Sequence, residues 1–478
     1  MKKIIKLSVI IVAVLMLNSC EGFLNKAPLL DQSTELSLGT YAGLNKSMAG
    51  AYTYLADGTW YGAGYVLEGE MRSGNGYKPT EGKFDSGRYA NPYFISYSPS
   101  STSGLYQYGY RTIAAANNII ENIDGKEGPD VTPQDINNVK AEALFLRALA
   151  HFDMVRLYAQ PYTSAPESDG IPYVFITDPA GFPARDQVRV VFTNIVADLL
   201  EAESLMADSY KRTGTDAKAY ATKPAIQALL SRAYLYMGEW QKCADYSTKV
   251  INNSDFKMWT PADLVDAKAY RNNIPTTGEI IFEMYMAQTN EFDEYWENAS
   301  WLTDPDGYAD VGASHQLYDL YEDGDVRKEE LFRSHKDGPD LLWTKKYAGK
   351  GNPVPDVNNV VILRLSEMYL NRAEAILNGA SAGAATVLSD LNVITSNRDA
   401  SPYTSAGSLD VFTERRKELA FEGHLWFDYP RTKRAMDRGS EYYGATNRSI
   451  PFPSYMWALP LPKSQLDVNE NLVQNPGW

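Results

Sequence analysis

Apolar residues recur at three- and four-residue steps along much of this chain. The clearest run is Ile136, Val139, Ala143, Leu146, Ala150, Met154 and Leu157, which predicts an amphipathic helix of about six turns. Thr132-Pro133-Gln134-Asp135 marks its start with a capping hydroxyl, a proline at the first helical position and a carboxylate at the third. Pro161 lies just beyond its end. In 224–251, Ile226, Leu229, Leu230, Ala233 and Tyr236 mark one helix, Gly238-Glu239 a turn, and Trp240, Ala244 and Ile251 a second. Small and large residues interlock there as in a tetratricopeptide-like hairpin. Residues 365–377, a break at Gly379, and 384–394 predict another pair, and 36–55 an earlier single helix. Unequally spaced pairs do not build a regular solenoid. They predict a mostly α fold: helix pairs as frame, long loop-rich insertions and a few short strands.

Three stretches break the helical period. Residues 279–286 alternate and favour a short strand. Residues 58–110 are rich in Gly, Ser and rings, among them Trp60, Tyr61, Tyr65, Tyr89, Tyr93 and Tyr97, and read as a long loop. A loop of such length is usually functional or disordered, and its aromatic density favours function. Residues 295–310 place Trp296, Trp301 and Tyr308 among Asn, Asp and Gly, and predict an exposed loop.

The first residues belong to targeting. Lys2, Lys3 and Lys6 precede an apolar run of about eleven residues, too short to span a hydrocarbon core. The ending Leu17-Asn18-Ser19-Cys20 has the form of a lipobox, with Asn18 its one departure. Residues 1–19 are therefore expected to be a cleaved lipoprotein signal peptide, Cys20 the lipid attachment point and 20–35 a tether.

Composition narrows the remainder. The 45 basic and 60 acidic residues give a net charge of −15, which argues against a nucleic-acid partner and against electrostatic docking on anionic lipid. Beyond Cys20 only Cys243 remains, so no internal disulfide is expected. His151, His315, His335 and His424 lack zinc-site spacing, and no cofactor or metal is implied. Tyr is abundant, with 33 copies against 16 Phe and 9 Trp, which suits partly wet binding surfaces.

Catalytic motifs fare poorly. Glu414, Glu418 and Glu422 stand at i+4 steps beside Arg415 and Arg416. Two carboxylates could serve a glycosidase, but three on one helix next to arginines read as an ion-pair network that Asp428 and Arg431 extend. Glu142 and Arg147 read as margin charges of a core helix, and Gly62 and Gly64 as ordinary flexible loop glycines. No Gly-x-Ser-x-Gly elbow occurs.

Several segments, taken in order, carry a resemblance. They are Cys20-Glu21-Gly22-Phe23-Leu24 with Pro28, Ala141 to Ala148 with Phe152-Asp153, Gly324-Asp325-Val326-Arg327, and Leu363 to Leu370. Glu414 to Gly423, Pro460-Leu461-Pro462 and Gln474-Asn475-Pro476-Gly477 complete the set. Together they resemble the SusD/RagB family of outer-membrane nutrient-binding lipoproteins of Bacteroidetes. The resemblance spans 20–478 and implies about four tetratricopeptide-like helix pairs in one domain over 36–478, with an N-terminal part about 36–215 and a C-terminal part about 275–478. It also implies a lipid-anchored, cell-surface protein paired with a SusC-like TonB-dependent transporter as a binding lid. No sugar-contact motif comes with it.

A sugar ring has an apolar C–H face and a hydroxylated edge, so aromatic rings and polar side chains bind it together. On composition and position alone, Trp60, Tyr61, Trp296 and Trp301 are the expected stacking residues, with Arg72, Asn75, Asp85 and Arg88 as edge partners. About half of these rings are expected to be structural. The expected function is non-catalytic glycan capture. Peptide capture and, less favoured, glycoside hydrolysis remain as alternatives.

Overall fold

The computed structural model describes residues 34–79, 87–100, 104–212, 217–271, 278–286, 298–349, 358–442 and 444–478. Cys20, Asp85 and Trp296 lie outside them. After a short turn of helix at Thr34–Gly39, the longer helices are α1 Tyr41–Leu55, α2 Gly64–Ser73, α3 Leu105–Ile123, α4 Pro133–Tyr158 and α5 Val188–Leu205. They continue with α6 Lys223–Met237, α7 Trp240–Ile251, α8 Leu365–Leu377, α9 Val387–Ser396 and α10 Ser408–Glu418. Each packs on its neighbours in the series α1, α3, α4, α5, α6, α7, α8, α9. The frame is thus a set of tetratricopeptide-like helix pairs, as the periodicity predicts.

Local signals explain the ends. Thr132 accepts from the Asp135 amide at 3.2 Å while its own amide donates to Asp135 Oδ2 at 2.9 Å, closing a capping box on α4. At the end of α6, Gly238 turns left-handed with φ 72°, and the Glu239 amide reaches the Tyr234 carbonyl at 3.0 Å. That bond satisfies an orphan carbonyl and reverses the chain into α7.

Short strands decorate this frame. β1 Gly76–Tyr77, β3 Gly312–Ala313, β5 Gly338–Thr344 and β4 Phe332–His335 form one antiparallel sheet in the order β1-β3-β5-β4. The alternating 279–286 stretch becomes β2 Ile280–Met284, paired antiparallel with β6 Val360–Arg364 in a register that sets Ile280 opposite Arg364 and Met284 opposite Val360. All five residues of each are buried, so this ribbon is part of the core. β7 Met436–Asp437 and β8 Ser449–Ile450 form a third pair.

Two expectations need correction. The 58–110 stretch is not a loop: it holds α2, a helical turn at Ala90–Phe94 and the start of α3. Its rings are largely core, with Trp60, Tyr61, Tyr65, Tyr89, Tyr93, Tyr97 and Tyr106 all buried. Gly62 and Gly64 mark close packing rather than freedom. A Cβ on Gly62 would lie 2.6 Å from the Ala56 and Asp57 carbonyl oxygens, and one on Gly64 would collide with the Thr59 carbonyl. These glycines are therefore required by contact, not by flexibility.

The charges of α4 are the second correction, since they are buried rather than marginal. Glu142 accepts from the Tyr52 hydroxyl at 3.0 Å, the Tyr210 hydroxyl at 2.6 Å and Arg212 Nε at 2.8 Å. Arg147 grips Asp198 of α5 with two bonds of 2.7 Å. Desolvation makes such groups expensive unless every lone pair is met, so they fix which helix packs where.

Candidate functional site

A concavity of about 310 Å³ opens where α2 meets the turn before it and the Ala90–Phe94 helix. Its lining includes Thr59, Glu68, Arg88, Tyr89, Asn91, Tyr97 and Leu302. Gly64, Glu68 and Arg72 follow at i+4 steps, so one face of α2 points this way. The turn is pinned by the Thr59 amide donating to Asp57 Oδ1 at 2.8 Å and by the Gly64 amide donating to the Gly58 carbonyl at 2.8 Å. On the other side the Ala299 amide donates to the Gly62 carbonyl at 2.8 Å, bringing the short helix Ala299–Leu302 against the same turn.

Glu68 is the acidic group of this concavity. The Tyr97 hydroxyl donates to its Oε2 at 3.2 Å, and Arg72 Nε donates to its backbone carbonyl at 3.1 Å. Burial pushes the Glu68 carboxyl above the usual range, opposed by the Arg72 charge and the Tyr97 hydroxyl. Arg88 lies on the rim, 37% exposed at its side chain, with Nε 2.8 Å from Asp310 Oδ2. Its guanidinium lies 4.8 Å from the Tyr308 ring centre, and Tyr308 meets Trp301 edge to face at 6.0 Å. Arg88, half-exposed Tyr308 and half-buried Trp301 thus form a wall continuous with the concavity.

The structure brings together only part of the set expected from sequence. Arg88 and Trp301 are at or beside the concavity. Trp60 is 0% exposed, stacked on Tyr65 at 5.5 Å, so neither face of its ring can meet a sugar. Tyr61 is buried with its hydroxyl donating to Asp153 Oδ2 at 2.7 Å. Asn75 is buried between Glu70, to which its Nδ2 donates at 2.8 Å, and Arg416, which donates to its Oδ1 at 2.9 Å. Arg72 is buried too, its guanidinium 4.9 Å from the Trp426 ring, and acts behind Glu68 rather than at the surface. These four are corrected to structural roles: large rings and hydrogen-bonded polar groups near Gly-rich turns serve packing as readily as binding. Asp85 and Trp296 fall outside the described residues. Glu68, Asn91 and Tyr97 are the lining residues that composition missed; the i+4 series on α2 is the signal that points to Glu68.

The paired carboxylates of α10 are elsewhere and engaged. Glu418 receives Arg364 at 2.6 Å, Arg398 at 2.6 Å and Arg327 at 2.8 Å. Glu414 receives Arg327 at 2.6 Å, and Glu422 receives Lys346 at 2.6 Å and Arg364 at 2.7 Å. Burial alone would raise these three carboxyls, yet the surrounding cations hold Glu414 and Glu422 below the usual range and Glu418 well below it. Asp428 and Arg431 form an adjoining cluster with Arg415 and Glu374. Buried acids that stay ionised cannot donate a proton to a leaving group, so this network holds the fold. Cys243 is buried, its thiol pushed up to about 12 by burial, which leaves it a poor nucleophile. No helix among the described residues is long and apolar enough to cross a membrane.

Comparison with known proteins agrees with this architecture. A SusD-like family model, described as starch-binding associating with outer membrane, matches residues 80–235, and the SusD family model matches 340–478. The SusD-like protein P2 of Formosa agariphila is 26% identical over 98% of each chain. A SusD superfamily protein from Bacteroides thetaiotaomicron is 28% identical and superposes with a TM-score of 0.79, covering 91% of this chain and 100% of that one. Another, from Bacteroides vulgatus, is 26% identical with a TM-score of 0.81, covering 92% and 99%. The matched segments take in Arg88, Asn91 and Tyr97 of the concavity and all of α10, and the chain belongs to the SusD/RagB family.

Proposed function

We propose that this protein is a non-catalytic surface glycan-binding lipoprotein. Lipid on Cys20 anchors it to the outer membrane, and it hands captured oligosaccharide to a SusC-like TonB-dependent transporter. The observation that carries glycan binding is the concavity itself. Exposed Tyr308 and half-buried Trp301 supply ring surface beside Arg88, Glu68 and Asn91 supply edge partners, and the buried Tyr89 and Tyr97 back the lining, with the Tyr97 hydroxyl holding Glu68. A sugar needs that combination of apolar face and hydrogen-bonding edge. The starch-binding description of the family model supports the same class of ligand. Hydrolysis is disfavoured because the carboxylates best spaced for it are buried in ion pairs.

Calorimetric titration of purified protein with neutral oligosaccharides, alongside a peptide library, tests this reading. Saturable glycan binding that is lost in Tyr97→Ala and weakened in Arg88→Ala is the expected outcome. Binding of peptides but of no glycan would overturn it. For the anchor, Cys20→Ala is expected to release folded protein from the membrane fraction.

A further inference from the structure

A second, larger concavity of about 760 Å³ lies among helix ends that the first site does not use. Its walls come from the α6–α7 turn, the C-terminal end of α8, the N-terminal half of α10, the end of the short helix Leu425–Arg431, and the turn around Thr163. We propose that this is a second ligand site, and that it takes an oligosaccharide bearing an anionic group, carboxylate or sulfate.

The rings argue for a saccharide. Tyr162, Trp240 and Phe412 line the space and are half-buried, unlike the enclosed Trp60. Trp240 is set by the turn beside it: Gly238 is left-handed, and a Cβ there would already lie 3.5 Å from the indole. Asn378 is exposed at the rim and Thr432 half-exposed; Asn378 Nδ2 donates to the Glu374 carbonyl at 2.8 Å and the Thr432 hydroxyl to the Asp428 carbonyl at 2.7 Å, which leaves their oxygens to accept from sugar hydroxyls. No lining residue belongs to a strand, so a peptide finds no sheet edge to extend. The volume falls within the range of about 300 to 1,000 Å³ usual for small-molecule sites.

The charge argues for an anion. Glu374 and Arg431 form a buried, mutually neutralising pair at the floor, with Arg431 Nη2 donating at 2.9 Å. Lys433, by contrast, lines the concavity exposed and makes no ion pair among the described residues. It sits in the left-handed region at φ 57°, held there by its amide donating to the Pro430 carbonyl at 3.1 Å and by the Arg434 amide donating to the Tyr429 carbonyl at 2.8 Å. Arg434 stacks 4.7 Å from the Phe412 ring centre and donates to the Ser408 hydroxyl at 2.7 Å. Of the neighbouring carboxylates, two are paired with cations and the third is hydrogen-bonded to backbone. Glu239 pairs with Lys242 at 3.2 Å, Glu167 pairs with Arg189 at 2.8 Å, and Asp410 accepts from the Gly407 amide at 2.7 Å. In a chain of net charge −15, Lys433 and Arg434, neither in an ion pair among the described residues, therefore set two cations against Asp410 beside three half-buried rings.

The test is calorimetric titration of the purified protein with three probes. They are oligogalacturonate for the carboxylate arm, a sulfated carrageenan oligosaccharide for the sulfate arm, and a neutral maltooligosaccharide as reference. At least one acidic probe is expected to bind, about tenfold more weakly in Lys433→Gln, where one charge-assisted contact is lost, and more weakly as salt rises. Trp240→Ala should weaken it similarly. Because Lys433 is exposed, the Lys433→Gln protein should fold normally and keep any affinity for the neutral probe. Which arm responds separates carboxylate from sulfate. Failure of both acidic probes, equal affinity in Lys433→Gln, or loss of acidic binding in Tyr97→Ala instead would overturn the proposal. Because the two concavities share no lining residue, failure of neutral-glycan binding would sink the first site and leave this one standing.

Discussion

Where α10 enters the core, each buried carboxylate is met by a cation: Glu414, Glu418 and Glu422 are no more than 8% exposed and all receive Arg or Lys nitrogens. Around the first concavity, Glu68 and Asn91 line open space, and the guanidinium of Arg88 remains partly exposed despite its contact with Asp310. Both regions mix charges with tyrosines, and composition alone does not separate them. What separates them is whether the polar groups are consumed within the fold. Fully consumed charges specify packing, whereas a polar group with open space beside it has bonding capacity left for a ligand.

The largest test of that contrast is Glu418→Gln. Removing the shared anion leaves Arg327, Arg364 and Arg398 one buried carboxylate short, with only Glu414, Glu422, Asp325 and Glu279 to hold the three cations, and a loss of about 3–5 kcal/mol in urea unfolding is expected. A loss below about 1 kcal/mol would mean that the network does not hold the fold.

Trp60→Ala should cost about as much, some 3–5 kcal/mol, by opening a cavity beside Tyr65 and Met154. The milder Trp60→Phe should leave glycan affinity unchanged. A selective drop in affinity without loss of stability would return Trp60 to the binding site.

Titration of stability gives a smaller effect of opposite sign in the two regions. Glu70 of α2 is buried, and burial raises its carboxyl to about 6 from 4.5. Its contribution is therefore complete below pH 4.5 and is lost as pH rises through 6, at about 2 kcal/mol for that shift. Glu414, Glu418 and Glu422 are held low by their cations, so their contribution is present above the ordinary glutamate range and is lost as pH falls below that range through their own lowered values. Unfolding curves of Glu70→Gln and wild type should diverge by about 2 kcal/mol in favour of the variant between pH 4 and 8. Parallel curves would show that Glu70 does not carry that shift.

The smallest stability effect belongs to Asn91→Ala. Asn91 is exposed on the rim, so stability should change by less than about 0.5 kcal/mol. Losing one hydrogen bond to a sugar edge should weaken glycan binding about three- to tenfold. Unaltered affinity would remove Asn91 from the site.

How much was legible differs by element. α4, α6, α7 and α8 were readable because large apolar residues recur at three- and four-residue steps between clear end signals, with Thr132-Pro133 and Gly238 as punctuation, although only α7 is half-buried and α4 is enclosed from Ala141 to Tyr158. β2 was readable from its β-favouring residues, although both its faces are buried. The 58–110 stretch was misread because α2 is only 10 residues long, contains Gly64 and Gly69 and has no side-chain cap at its start, so neither length nor a start signal marks it as a helix. For the same reason its rings resembled a binding surface: Trp60 and Tyr97 are equally aromatic in sequence, and only one lines a concavity.

The sequence by itself determined the helical frame, the ends of its helices and the presence of more rings and charges than a simple core requires, since these follow from local periodicity and capping. Only the tertiary structure decided which rings are open and which charges are spent. Trp60 is sealed by Tyr65, Glu418 by three arginines that lie 20, 54 and 91 residues away along the chain, while Arg88 comes to lie beside Tyr308. Burial and charge pairing between distant segments are set by how helices stack, and no local pattern encodes them.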